Sequence, residues 1–248
     1  MRNRSSLNKQ SFLKLLSSLL IFNPMPLIAE DYTQAVGTIY CDGGIRGIAT
    51  HIKVPKDFAA NHSVIVTAAH VIYNPQTDQL FSQCDYRPQN KRLGGIEFKT
   101  ISAHNYSTKN SDKVDQAESD LIFIKLKHRA YQPTLKLSKN FSSEASKLSF
   151  ISSDLDNFKQ TECQKINNTH VTSDKLLLHN CPADVGSSGS PIIDGQSSEL
   201  VAVHGGRFNF QTTKNSHKDP QWIGQARRID SMIDLSLRSL GLELTYSF

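Results

Sequence analysis

Long apolar runs are missing from this chain of 248 residues. The most apolar stretch, Leu15 to Phe22, is cut short by Asn23 and Pro24, and a bilayer-spanning helix needs roughly 20 residues. No other segment is apolar enough to span a membrane. Paired cysteine motifs are missing too. The four cysteines, Cys41, Cys84, Cys163 and Cys181, form no CxxC pair, which argues against a zinc site and for disulfides in an oxidising compartment. Helical periodicity is nearly absent before residue 229, and no repeat of 20 to 50 residues recurs, so helical bundles and solenoids are excluded.

Acidic residues are missing from the first 29 positions. There Arg2, Arg4, Lys9 and Lys14 precede the Leu15 to Phe22 run, and Ala29 stands at a cleavage position, as in an export leader. The expected signal peptide is therefore 1–29. The whole chain carries a net +5, but its remainder holds 24 basic against 23 acidic residues, or +1. The basic excess belongs to the leader and does not indicate nucleic-acid binding. The mature chain is expected in the periplasm or outside the cell, without stable membrane association.

What is present is a series of short, β-branched and aromatic runs bounded by turn residues. Ala35–Tyr40, Gly47–Val54, Ser63–Ala68, Gly95–Ile101, Leu121–Leu126, Lys147–Ser152, Leu176–His179 and Leu200–His204 read as strands. Near the end, Ile229, Met232, Ile233, Leu235, Leu237 and Leu240 recur at helical spacing, with Gly241 as the stop. The expected fold is all-β: two packed antiparallel barrels followed by a C-terminal α-helix. Lys127–Lys136, containing Pro133, is the expected crossover, giving an N-terminal barrel over 30–132 and a C-terminal one over 133–248. Four cysteines allow three pairings; Cys41–Cys84, flanking His70, and Cys163–Cys181, closing a hairpin, are favoured.

Three separated stretches carry chemistry: Thr67-Ala68-Ala69-His70, Ser119-Asp120 opening an apolar strand, and Gly186-Ser187-Ser188-Gly189-Ser190-Pro191. They supply a base, an acid to orient it and a serine in a glycine-framed turn, the components of nucleophilic acyl transfer. Small residues before His70 let its backbone pack closely. A carboxylate at the mouth of an apolar strand is costly to bury unless hydrogen-bonded, and an imidazole partner resolves that cost; Asp112 and Asp115 are rival orienters. Gly186 and Ser188 would supply the backbone donors of an oxyanion hole. A Gly-Ser linker, a strand-capping aspartate and a surface histidine are the bland alternatives for each stretch alone. An α/β-hydrolase order, with Asp194 and His204 or His217 after the serine, lacks a βαβ pattern and has only 60 residues left after Ser188.

In this order the stretches resemble the His, Asp and Ser segments of bacterial secreted trypsin-like serine proteases of the chymotrypsin fold, related to glutamyl endopeptidase-type enzymes. The likeness runs from Ala35 through the C-terminal helix. It implies a serine endopeptidase acting on protein or peptide substrates through His70, Asp120 and Ser188, with no metal and no cofactor. By the same resemblance Val203, His204, Gly205 and Gly206 would hold the substrate backbone and line its pocket, and Pro182 and Ala183 would lie near the floor. The rival is a chymotrypsin-fold protein that binds without cutting. Two departures stand out. Ser187 occupies the place of the aspartate that receives the new N-terminus in trypsin-type zymogens, so no such activation is expected. A histidine at the place of His204 occurs in glutamate-specific relatives, yet Ala183 replaces their pocket threonine; Asp184 would suit basic substrates instead.

Overall fold

The computed structural model describes residues 31–89, 94–138, 147–154, 157–167, 171–210 and 221–242. The expected leader lies outside them, as does His217. Residues from Asp31 onward form one compact unit.

Six strands close into a barrel: β1 (Val36–Cys41), β2 (Gly44–Ile52), β3 (Val64–Thr67), β6 (Cys84–Pro88), β7 (Ile96–Ile101) and β8 (Ile122–Leu126), in the order β1-β2-β3-β8-β7-β6. A two-stranded excursion, β4 (Tyr73–Asn74) and β5 (Gln79–Leu80), interrupts the series. β3 and β8 are buried on both faces or nearly so, which is why Val64-Ile65-Val66 and Ile122-Phe123-Ile124 are continuously apolar. Closure leaves the barrel without an open edge.

A second six-stranded sheet follows, from β9 (Leu148–Asp154), β10 (Asn157–Cys163), β11 (Leu176–His179), β12 (Pro191–Asp194), β13 (Leu200–Phe210) and β14 (Gln221–Arg228), in the order β10-β9-β12-β13-β14-β11. Its end strands are drawn together. Lys165 bridges His179, the Ile166 N–H donates to the Leu178 carbonyl over 2.8 Å, and the Cys163–Cys181 disulfide crosslinks the same seam. The other disulfide, Cys41–Cys84, joins the paired ends of β1 and β6. Both bonds are the favoured pairings.

Between the sheets, Leu135 bridges Ile52 of the barrel and Leu137 bridges Leu200 of the second sheet. Three short helices complete the described fold: α1 (Lys56–Ala59), α2 (Lys113–Glu118) and α3 (Ile233–Ser239). The C-terminal helix starts four residues later than the apolar spacing suggests, because Ile229 still donates to Val201 as an extension of the sheet. Ile233, Leu237 and Leu240 of that helix face the main core.

Candidate active site

The barrel itself delivers His70. Thr67 ends β3, and Ala68 and Ala69 are fully buried. A 3-10 turn over Ala69–Ile72 then swings His70 outward. Asp120 arrives between α2 and the neighbouring strand β8. Asp112 caps α2 by accepting from the N–H groups of Val114 and Asp115, and the helix ends as Asp120 donates its N–H to Ala117 before β8 begins. Asp112 is thereby occupied and Asp115 is exposed, so of the three acids it is Asp120 that reaches the histidine.

Asp120 is buried and engages His70 with both oxygens. Oδ2 lies 2.7 Å from Nδ1, and Oδ1 accepts from the His70 backbone N–H at 2.9 Å. A carboxylate at neutral pH only accepts, so Nδ1 carries the imidazole proton and Nε2 keeps its lone pair. Burial pushes the His70 pKa down, but the charge of Asp120 and its hydrogen bond outweigh that and leave it raised.

The serine comes from the second sheet. In the turn before β12, Gly186 and Gly189 take φ of +93° and +84°, conformations suited to glycine. Ser187 is fully buried; its N–H donates to Asp184 and its Oγ accepts from the Asp184 N–H. The N–H groups of Gly189 and Ser190 are likewise used, on the carbonyls of His204 and Ser187. Among the described residues, those of Gly186 and Ser188 have no such partner. Two donors are therefore left at the half-buried Ser188.

This turn is docked on the barrel. Ile48 of β2 donates its N–H to the Ser188 carbonyl over 2.8 Å, and Thr67 Oγ1 donates to the Ile48 carbonyl over 2.7 Å. A Cβ on Gly189 would sit 2.0 Å from the Ile48 oxygen, and one on Gly47 would sit 2.5 Å from the Ser188 oxygen. Both glycines are required by this approach.

A cleft of about 740 Å³ opens at His70 and Asp120. Tyr73, Tyr106, Phe208 and Trp222 contribute aromatic walls, and Gly205 and Gly206 contribute bare backbone. Of the other residues singled out from sequence, Val203 is buried in the main core and Ala183 in the core of the second sheet. Pro182 and Asp184 are exposed.

His204 is buried beside the serine turn, its N–H donating to the Ser190 carbonyl. Its Nδ1 lies 3.1 Å from Nε2 of His179, also buried. The Cys181 N–H donates to His179 Nδ1. That contact places the His179 proton on Nε2, which donates to His204, and leaves the His204 proton on its own Nε2. Burial, reinforced by the Arg207 charge, holds His179 at about 4; burial, followed by the charges of His179, His70 and Arg207, holds His204 well below its ordinary range. Sequence reading passed over His179, since a histidine ending an apolar strand carries no signal of its own. It also passed over Gln225, a buried amide whose Oε1 has no partner among the described residues. Helix α2 went unread despite its capping signature, an Asp followed three residues later by another acid.

The barrel, the second sheet and the terminal helix define the chymotrypsin-like class, and the enzymes of that class to which the sequence points are serine-type endopeptidases. Residues 56–203 match the trypsin-like peptidase domain, and the chain belongs to that family. No curated protein sequence matches it. Among solved structures it is similar to protease Anisep from Arthrobacter nicotinovorans, at 15% identity and a TM-score of 0.60 over 84% of this chain and 95% of that one. It is also similar to a Glu endopeptidase, at 15% and 0.56 over 83% and 89%. Human heparin binding protein shares the fold at 12% and 0.57 over 89% and 98%. At such identities these likenesses concern the fold alone.

Proposed function

We propose that this serine-type endopeptidase cuts peptide bonds with Ser188 as nucleophile, His70 as general base and acid, and Asp120 as the group that orients His70. The double engagement of His70 by Asp120 carries the reading, because it fixes the tautomer that leaves Nε2 free to take a proton. Ser188 Oγ attacks the peptide carbonyl as His70 Nε2 removes its proton. The N–H groups of Gly186 and Ser188 hold the oxyanion. His70 then protonates the leaving amine, and water hydrolyses the acyl-enzyme with His70 again as base.

Two disulfides, and no helix among the described residues long and apolar enough to cross a membrane, support an exported enzyme freed of residues 1–29. A serine-reactive phosphonate tests the chemistry: the folded protein should be labelled at Ser188, and Ser188→Ala should lose both label and hydrolysis while keeping its fold. Folded wild-type protein that takes no label would favour a binding protein on the same fold.

A further inference from the structure

We propose that Arg207 selects an acidic residue at the scissile bond, by holding a glutamate or aspartate carboxylate of the substrate at the pocket beside Ser188; this rests on the protease reading above. The register of β13 carries it. Beyond Val203 this strand leaves β12 and continues to Phe210 paired with β14 alone, and a bulge between His204 and Gly206 shifts its register. Arg207 then pairs with Gly224. Residues directly opposite on antiparallel strands project from the same face. A Cβ on Gly224 would meet the His179 ring at 2.4 Å, so the face from which Arg207 rises is the one covering the His179–His204 pair.

That pair is joined to the serine turn, since His204 bonds to both Gly189 and Ser190. Arg207 is thus three residues along the same strand from a residue hydrogen-bonded beside the nucleophile, and it lines the cleft that contains His70. Gly205 and Gly206, between them, raise no side chain to obstruct the way.

Charge decides what fits. Arg207 is exposed and has no carboxylate partner among the described residues. The nearest acid of the catalytic group, Asp120, already spends both oxygens on His70. Asp184 is exposed and does not line the cleft, and Ala183 beside it is buried in the core of the second sheet, so neither puts a negative charge there. The two histidines are held neutral by burial and by each other. They offer a hydrogen-bond donor at His204 Nε2 but no cation of their own; of the two cations lining the cleft, Lys113 donates to Gln116 Oε1, and Arg207 is the one on the strand that runs from the serine turn. A guanidinium pairs with a carboxylate through two parallel N–H···O bonds, which a neutral amide of the same shape cannot match.

The experiment is a set of peptides identical except at the residue whose carbonyl is attacked: Glu, Asp, Gln, Leu, Phe and Lys. Wild-type kcat/KM should favour Glu over Gln by about tenfold to a hundredfold, the range for a hydrogen bond to a charged group, and high salt should narrow the gap. Arg207→Gln should bring the Glu to Gln ratio near one, chiefly by lowering kcat/KM for the Glu peptide. Arg207→Glu should invert the ratio. Because the side chain is exposed, these variants should keep the wild-type melting temperature. A wild-type ratio near one, or a ratio unchanged in Arg207→Gln, overturns the inference while hydrolysis and phosphonate labelling uphold the protease reading. If no peptide is cut and Ser188 takes no label, both are overturned.

Discussion

Asp120 holds His70 at two points, the ring through Nδ1 and the main chain through its N–H. One carboxylate therefore fixes the proton, the ring orientation and the backbone of the proposed base. It does so from the residues just before β8, the strand next to the one leading to His70, Thr67 pairing with Ile122.

Removing that charge should act on rate and on pH dependence in separate ways. Asp120→Asn should lower kcat/KM by about three to four orders of magnitude, as expected when the wrong tautomer is stabilised. The raised His70 pKa places the acid limb of the wild-type profile above 6.5. With the carboxylate gone, burial dominates and the limb of the residual activity should move to lower pH. An acid limb at the wild-type position in the variant would count against Asp120 as the orienting charge.

Stability should fall on acidification for a reason independent of catalysis. His51, whose Nδ1 donates to the Pro133 carbonyl, and His179 are both pushed down by burial to about 4. Above 6.5 they are neutral folded or unfolded and cost nothing. Between 6.5 and 4 the unfolded chain takes up protons that the folded chain refuses, costing on the order of 3 kcal/mol per histidine by the bottom of that window. His70 works oppositely and only in part offsets the loss. Urea midpoints measured at pH 7 and 4.5 should differ accordingly, and His51→Gln should shrink the difference; equal midpoints in the wild type would contradict this account.

The serine turn should tolerate no side chain where it meets the barrel. Gly189→Ala places a methyl on the Ile48 carbonyl in a left-handed conformation, and such strain costs about 1–3 kcal/mol or displaces the turn. Activity should drop far more than stability, because Ser188 sits on the displaced segment. Phosphonate labelling at the wild-type rate in Gly189→Ala would show that the docking is dispensable.

The Cys163–Cys181 bond should matter mainly to the second sheet. Its sequence separation of 18 corresponds to about 3 kcal/mol of loop entropy, against about 4 for Cys41–Cys84 at a separation of 43. Paired Cys163→Ser and Cys181→Ser substitutions should lower the melting temperature and speed hydrogen exchange at the amides of Ile166 and Asn180, which donate across the seam to the carbonyls of Leu178 and Gln164. Unaltered exchange there would show that hydrogen bonding alone holds the two edges.

No freshly cut N-terminus should be needed for activity. Ser187 spends its hydroxyl within its own turn, and the segment at Tyr32 is anchored elsewhere: the Tyr32 hydroxyl donates to Ser198 in the β12–β13 connection, at the end of β12 opposite the serine, and the Tyr32 N–H donates to Gln160. A few extra residues before Asp31 should leave kcat/KM within about twofold. Strict dependence on a defined N-terminus would refute this.

The strands legible in the sequence include those buried on both faces, and also Gly95–Ile101, which is legible from its β-branched and aromatic residues although it is largely exposed. Leu176–His179 appears with its expected bounds, and Ser63–Ala68 and Leu121–Leu126 are trimmed by a residue or two. Among those that escaped reading, Cys84–Pro88 and Asn157–Cys163 carry polar or charged residues that are partly exposed, and Gln221–Arg228 is mostly buried yet carries Gln225, Arg227 and Arg228; pairing partners rather than composition make them strands. In Gln221–Arg228, Arg227 is buried yet satisfied by the Glu118 carbonyl and Asp230, contacts that no local pattern announces. The site divides the same way. His70, Asp120 and Ser188 stand in recognisable segments, whereas Arg207, His179 and Ile48 acquire their places from strand register and from contact between the barrel and the second sheet.

The hydrogen bond from Ile48 to Ser188 also has a meaning in time. His70 and Asp120 meet at the rim of a barrel built from the first half of the chain, whereas the proposed nucleophile takes its position only where the second sheet packs against that barrel. A nascent or half-folded chain therefore holds a base with nothing to activate. On the proposed mechanism, hydrolysis therefore waits on the contact between the barrel and the second sheet.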